Sequence, residues 1–237
     1  MAQIFPNQSA QAIITELVQA ICVNKIQSKV NLHKNKVDPF SALIDSMVQK
    51  IPLSNWLQKQ ETARQRQKAL QNCIGKFHQD IISSFNDWNN LGTGEILDVV
   101  NKKTKIAAEI KNKYNTTKGN HKIQIYRDIE AFLNLKQYKN FTGYYVEIIP
   151  SGKGLKTVYN EKFTPTDNTK NGRRAISRDD IRIIDGRSFY EIATGQKDAL
   201  LQLYTSLPEM IRNVSGISNM KPENEKLFSE LFDKAFL

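Results

Sequence analysis

Two carboxylates and a lysine, brought within reach of one another by a short turn, are the residues of this chain best suited to chemistry. An apolar run, Glu95-Ile-Leu-Asp98-Val-Val, ends near a carboxylate and turns through Asn-Lys-Lys-Thr-Lys. It returns as Ile-Ala-Ala-Glu109-Ile-Lys111. Apolar, turn, apolar is the pattern of a β-hairpin. Side chains alternate along a strand, so Glu109, Lys111 and Lys113 share one face, while Asp98 sits near the end of the partner strand. Two carboxylates and an ammonium gathered at one sheet edge repel and desolvate each other at a cost, unless something uses them. A divalent oxygen-seeking cation, Mg²⁺, suits the pair. Glu109-Ile-Lys111 is the only Asp/Glu-x-Lys triplet in the chain, and it falls inside an apolar run with a carboxylate on the neighbouring strand. The competing reading is an edge strand whose solvated charges discourage aggregation.

The elements that must hold these residues follow directly. A polar loop from Lys113 to Asn120 leads into Ile123, Tyr126, Ile129, Phe132 and Leu133, which recur at helical spacing. Residues 141–150 are then apolar on nearly both faces, as a strand buried in a parallel pair is. Strand, helix and buried strand form a crossover unit with the acidic residues on its first strand.

With that context, Asp98, Glu109 and Lys111 resemble the catalytic motif of the PD-(D/E)xK nucleases. Two stretches, Glu109-Ile-Lys-Asn-Lys-Tyr-Asn-Thr and Ile184-Asp-Gly-Arg-Ser-Phe-Tyr-Glu-Ile-Ala-Thr-Gly195, more narrowly resemble type II restriction endonucleases of the group that cuts GGNCC. The proline that names the motif is absent, Leu97 standing before Asp98, so Glu95 competes for the role of first carboxylate. The resemblance implies an α/β (α+β) fold, a restriction-endonuclease-like mixed central sheet flanked by helices with a helical N-terminal part. It further implies Mg²⁺ held by Asp98, Glu109 and the Ile110 carbonyl, with Lys111 orienting water or neutralising a nonbridging oxygen. The products would be 5′-phosphate and 3′-hydroxyl ends. Double-stranded DNA is then the substrate, a homodimer the expected assembly on a palindrome, and a cognate DNA methyltransferase the companion enzyme. A structure-selective repair or junction nuclease of the same fold, or a nonenzymatic basic DNA-binding module, are the alternatives.

Composition agrees with a polyanion as partner. The chain has 237 residues, 40% hydrophobic and 24% charged, ordinary for a globular protein. Its net charge of +10 is unevenly spread, since residues 95–190 hold 19 Lys and Arg against 11 Asp and Glu. A basic excess around a carboxylate site suits a phosphate backbone held by cations while acids hold metal. Lys113, Asn115 and Lys118 are expected at phosphates. Lys153 and Lys156 in a glycine-bearing turn, and Arg173, Arg174 and Arg178 in a long polar loop over residues 160–180, are the expected groove contacts.

Residues 1–237 read as a single nuclease domain with a helical part at 1–90, a catalytic core at 91–150 and a recognition loop, strand and C-terminal helices at 151–237. Helices are expected at 9–23, at 40–49 behind an Asp38-Pro39 start, and at 55–84 with Ser54 as cap. Residues 182–190 read as a strand, Thr194 as the cap of a helix from about Gln196 to Pro208, and the tail beyond Pro222 as an amphipathic packing helix. His78 reads as a packed, hydrogen-bonded histidine, and the three histidines lack zinc spacing. Cys22 and Cys73 read as reduced thiols, and no secretory leader or 18-residue apolar run is present, so a cytoplasmic protein with no membrane segment is expected.

Overall fold

A computed structural model describes residues 3–31, 37–92, 94–117, 119–151, 158–167, 169, 172–214 and 225–236. The chain packs as two compact units, one formed by Met1–Ile14 with Phe77–Leu237 and the other by Thr15–Lys76.

The larger unit is built on a six-stranded mixed sheet. In chain order the strands are β1 (Trp88–Asn90), β2 (Val99–Asn101), β3 (Ile106–Lys113), β4 (Thr142–Ile149), β5 (Asn160–Lys162) and β8 (Ile181–Asp185). Their spatial order is β1-β2-β3-β4-β8-β5. β3, β4 and β8 are mutually parallel, and β1, β2 and β5 run antiparallel to their neighbours at the two edges. β6 (Thr166–Asp167) and β7 (Arg173–Arg174) form a separate two-stranded ribbon. The helices are α1 (Gln8–Asn31), α2 (Pro39–Val48), α3 (Leu53–Trp56), α4 (Thr62–Ser83), α5 (Gly119–Leu133), α6 (Gly186–Thr194), α7 (Ala199–Arg212) and α8 (Glu225–Phe236).

The crossover unit read from the sequence is present as β3-α5-β4. On one face of the sheet, Ile123, Tyr126, Ile129, Phe132 and Leu133 of α5 bury against Val100, Ala107, Tyr145 and Ile181. Gly143 allows the close approach, because a Cβ there would lie 2.2 Å from Ile129 Cγ2. On the other face α6 sets Phe189 5.6 Å from Trp88 and 5.9 Å from Tyr144, ring centre to ring centre. His78 lies buried on α4 with Nδ1 2.8 Å from the Tyr190 hydroxyl, the packed histidine expected, and burial lowers its pKa to about 4. α8 packs on α7 through Tyr204, which stacks on Phe228 at 4.3 Å and donates to the Phe228 carbonyl at 2.8 Å.

Several boundaries differ from the sequence reading. α1 continues to Asn31, past Val23. Asp38 caps α2 as read, accepting from the Phe40 N–H at 3.0 Å. Ser54 caps nothing. The extended Pro52 already turns the chain, so α3 starts at Leu53, and a π-helical turn over Leu57–Glu61 joins it to α4. Residues 182–190 are not one strand, since β8 ends at Asp185, whose Oδ1 accepts the Ser188 N–H at 3.1 Å and caps α6. Thr194 closes α6, and α7 runs through Pro208 to Arg212. Burial of Met210 and Val214 beyond the proline offsets a cost of about 3 kcal/mol. The polar loop at 160–180 contains β5 and the ribbon. Cys73 is a free thiol, and Cys22's side chain lies outside the described residues.

Gly186 is where β8 becomes α6, and a Cβ on it would stand 2.4 Å from the Ile148 carbonyl oxygen, a backbone atom in mid-sheet. Gly186→Ala should therefore destabilise by about 1–3 kcal/mol, as overpacking does. Gly75→Ala, at a helical glycine with nothing within 4 Å, should stabilise by about 0.5–1 kcal/mol. Thermal melts of the two variants check the contrast.

Candidate active site

β2 and β3 pair with Val99 opposite Ala108, so one step further along the ladder sets Asp98 across from Glu109. Asp98 is fastened to the two neighbours of Glu109. Its N–H donates to the Ala108 carbonyl at 3.0 Å, and its Oδ2 accepts the Ile110 N–H at 2.6 Å. Ile110's N–H faces the place where β2 ends, and the carboxylate supplies the acceptor that the strand no longer can. Lys111, two residues on and on Glu109's face, brings Nζ to 2.5 Å from Glu109 Oε1. Glu95 lies exposed, and the carboxylate set across the ladder from Glu109 is Asp98.

The charges are strained in a defined direction. Burial, reinforced by the negative charge of Asp98, lifts Glu109 to about 7 against the pull of Lys111. Burial likewise raises Asp98, opposed by the Ile110 N–H, by Lys111 and by a hydrogen bond from Gln79. Burial works against the Lys111 ammonium, but Glu109 and Asp98 outweigh it and hold its proton more firmly than in water. Near neutrality the two carboxyls therefore compete to stay ionised, and added positive charge beside them would favour the doubly ionised state.

A second ionic group stands beside this one and was not singled out from the sequence. Glu147 on β4 pairs in register with Lys111, is 3% exposed, binds Lys122 Nζ at 2.7 Å, and accepts the Tyr159 hydroxyl at 2.6 Å. A lone acid in the apolar run of residues 141–150 was its sequence signal, because a buried charge must be paired. Among the described residues no three His, Cys, Asp or Glu side chains gather as a metal cluster. Two carboxylates leave the other positions of a cation to main-chain oxygen and water, an oxygen donor set that fits Mg²⁺.

Of the residues expected at DNA, Lys113 and Asn115 are exposed just past the carboxylates. Arg173 and Arg174 are exposed on the ribbon. Arg178 is instead engaged, with Asp180 at 2.8 and 2.7 Å and with Glu130 at 3.4 Å. Lys118, Lys153 and Lys156 lie outside the described residues.

A family model of the Eco47II restriction endonuclease matches residues 4–215, nearly the whole chain. The protein belongs to that family. It is a site-specific type II restriction endonuclease, an enzyme that hydrolyses DNA. It is 39% identical over 182 residues to the type II restriction enzyme Eco47II of Escherichia coli, covering 76% of this chain and 74% of that one. It is 29% identical over 203 residues to the type II restriction enzyme Sau96I of Staphylococcus aureus, covering 85% and 76%. The restriction-endonuclease resemblance and the mixed sheet flanked by helices both hold. Among the described residues, no helix is long and apolar enough to cross a membrane.

Because Glu109 titrates near 7 when folded and near 4.5 when unfolded, the folded chain keeps a proton in that window which the unfolded chain has released. The metal-free protein should thus lose stability as pH rises through the window. Glu109→Gln copies the neutral form, so in chelator at pH 8 it should be more stable than the wild type by about 1–3 kcal/mol. Below pH 4 the difference should vanish. Calorimetric melts at the two pH values check this, and an equal offset at both contradicts it.

Proposed function

We propose that this restriction endonuclease cleaves DNA in a Mg²⁺-dependent reaction at the edge formed by Asp98, Glu109 and Lys111. The observation that carries the reading is the cross-strand carboxylate pair, tied together through Ile110 and faced by a lysine. Asp98 and Glu109, with the Ile110 carbonyl, would hold the metal. The bound ion supplies a water of lowered pKa and positive charge for the phosphorus centre. Lys111 stays protonated beside Glu109, orients the attacking water or meets a nonbridging phosphate oxygen, and adds charge where the transition state becomes more negative. Lys113 and Asn115, exposed past the end of β3, hold backbone phosphates and set the scissile bond over the carboxylates. Glu147, paired with Lys122 and Tyr159, fixes the neighbouring strand in register with Lys111.

The narrower resemblance supports a GGNCC-like palindrome as the target, with 5′-phosphate and 3′-hydroxyl ends. Cutting both strands of a palindrome calls for two such sites related by a twofold axis, hence a homodimer. A methyltransferase of the same specificity protects the host, and the enzyme works in the cytoplasm.

The test is digestion of unmethylated phage DNA with and without Mg²⁺, followed by end sequencing, for the wild type and for Asp98→Asn, Glu109→Gln and Lys111→Ala. Discrete fragments with GGNCC ends are expected from the wild type with Mg²⁺ alone. Each variant, folded by circular dichroism, should lose roughly 10²–10³-fold in rate, as loss of a principal charge-stabilising group does. Full activity in any variant removes that residue from the reaction. A smear from the wild type moves the chain to a structure-selective or degradative role.

A further inference from the structure

The ribbon of β6 and β7 stands apart from the six-stranded sheet and is tied to α5 at several points. The Tyr126 ring packs on Phe163, and its hydroxyl donates to the Ile176 carbonyl at 2.7 Å. One turn further, Glu130 meets Arg178 at 3.4 Å. Between them Arg127 donates to Asp167 Oδ2 at 2.8 Å. Asp167 is 4% exposed, and its Oδ1 accepts the Thr169 N–H at 3.0 Å and hydroxyl at 2.6 Å. Tyr126, Arg127 and Glu130 thus clamp both ends of the segment that carries the ribbon.

The ribbon's own cations are left exposed. Arg173 and Arg174 are exposed, and among the described residues neither carries an ion pair. Cross-strand partners share a face, so Arg173, opposite Asp167, lies on the side turned to α5, and Arg174, opposite Thr166, lies on the other. Arginines held on a clamped support lose little freedom when they bind, which is how a specific contact differs from a sticky surface. Arg178 has its charge met by Asp180 and Glu130, so it serves as part of the clamp.

We propose that this ribbon is the specificity element of the enzyme, entering the major groove with Arg174 forked onto the O6 and N7 of a guanine while Arg173 holds a flanking phosphate. A two-stranded ribbon fits the major groove, and the guanidinium fork matches the guanine edge. Arg127 and Asp167 are positioning residues that set the ribbon's angle from α5. The inference rests on the nuclease reading above and adds to it the residue that reads a base.

The test uses the full chain and a library of duplexes bearing each single base-pair change in the wild-type site, scored by sequencing cleaved ends. Binding to the cognate duplex in chelator is measured over a range of salt. Arg174→Ala should lose roughly ten- to a hundredfold of discrimination at one symmetric guanine position and leave the others unchanged. Arg173→Ala should weaken binding to every duplex alike and lower the slope of log affinity against log salt by about one. Arg127→Ala should relax the same position as Arg174→Ala, with partial rescue by Arg127→Lys. Unchanged discrimination in Arg174→Ala, or a uniform loss with a lowered salt slope, overturns the assignment. In either case discrete cutting by the wild type keeps the nuclease reading intact, whereas a wild type that cuts without preference overturns both.

Discussion

The bond from the Ile110 N–H to the Asp98 carboxylate is the interaction on which the candidate site depends. It ends the β2-β3 ladder with a side chain in place of a strand, and so sets one acid against another on neighbouring strands. Two half-buried carboxyls in this position resist ionising together, and a lysine alone does not restore Glu109 to its ordinary range. The arrangement costs stability in the free protein, a cost that a divalent cation bound as proposed would relieve.

The rest of the larger unit serves to keep that edge in place. Parallel pairing of β3, β4 and β8 aligns Lys111 with Glu147 and Glu147 with Asp185, so polar groups of three strands come level on one face. Gly143 lets α5 press onto the sheet, which buries the apolar half of the face and leaves its polar end to the acids and lysines. Asp185 accepts the Tyr159 N–H at 2.8 Å and caps α6 with its other oxygen, joining β8, α6 and the approach to β5 through one buried carboxylate. The same α5 carries Arg127, which holds Asp167 of the ribbon, so one helix packs on the carboxylate-bearing sheet and fastens the ribbon that bears Arg173 and Arg174.

The hairpin that carries the carboxylates and the crossover after it were legible because they obey short-range rules. A polar turn between apolar runs, helical spacing from Ile123 to Leu133 and an apolar run at 141–150 each specify an element locally. Asp98, Glu109 and Lys111 could be brought together on paper because they lie within fourteen residues and one hairpin. The failures come where tertiary contact overrides local pattern. Residues 182–190 look extended throughout, yet Asp185 caps a helix because Gly186 must pass Ile148 without a side chain. Pro208 reads as a stop, but buried Met210 beyond it carries the helix on. Glu147, Lys122 and Tyr159 were hidden for another reason, since their meeting depends on strand register and helix docking that spacing does not encode. Arg178 reads as a free cation in a basic loop, and only the fold reveals its acidic partners.

The central claim is that Asp98 and Glu109 form a cation site poised by a proton. Its most direct test is calorimetric titration of the metal-free protein with Mn²⁺ at pH 6.5, in two buffers of different ionisation enthalpy. With Glu109 near 7, binding should release roughly 0.5–1 proton per ion, and Asp98→Asn should abolish the binding. Binding with no proton release, unchanged in Asp98→Asn, would place the metal elsewhere and contradict the account.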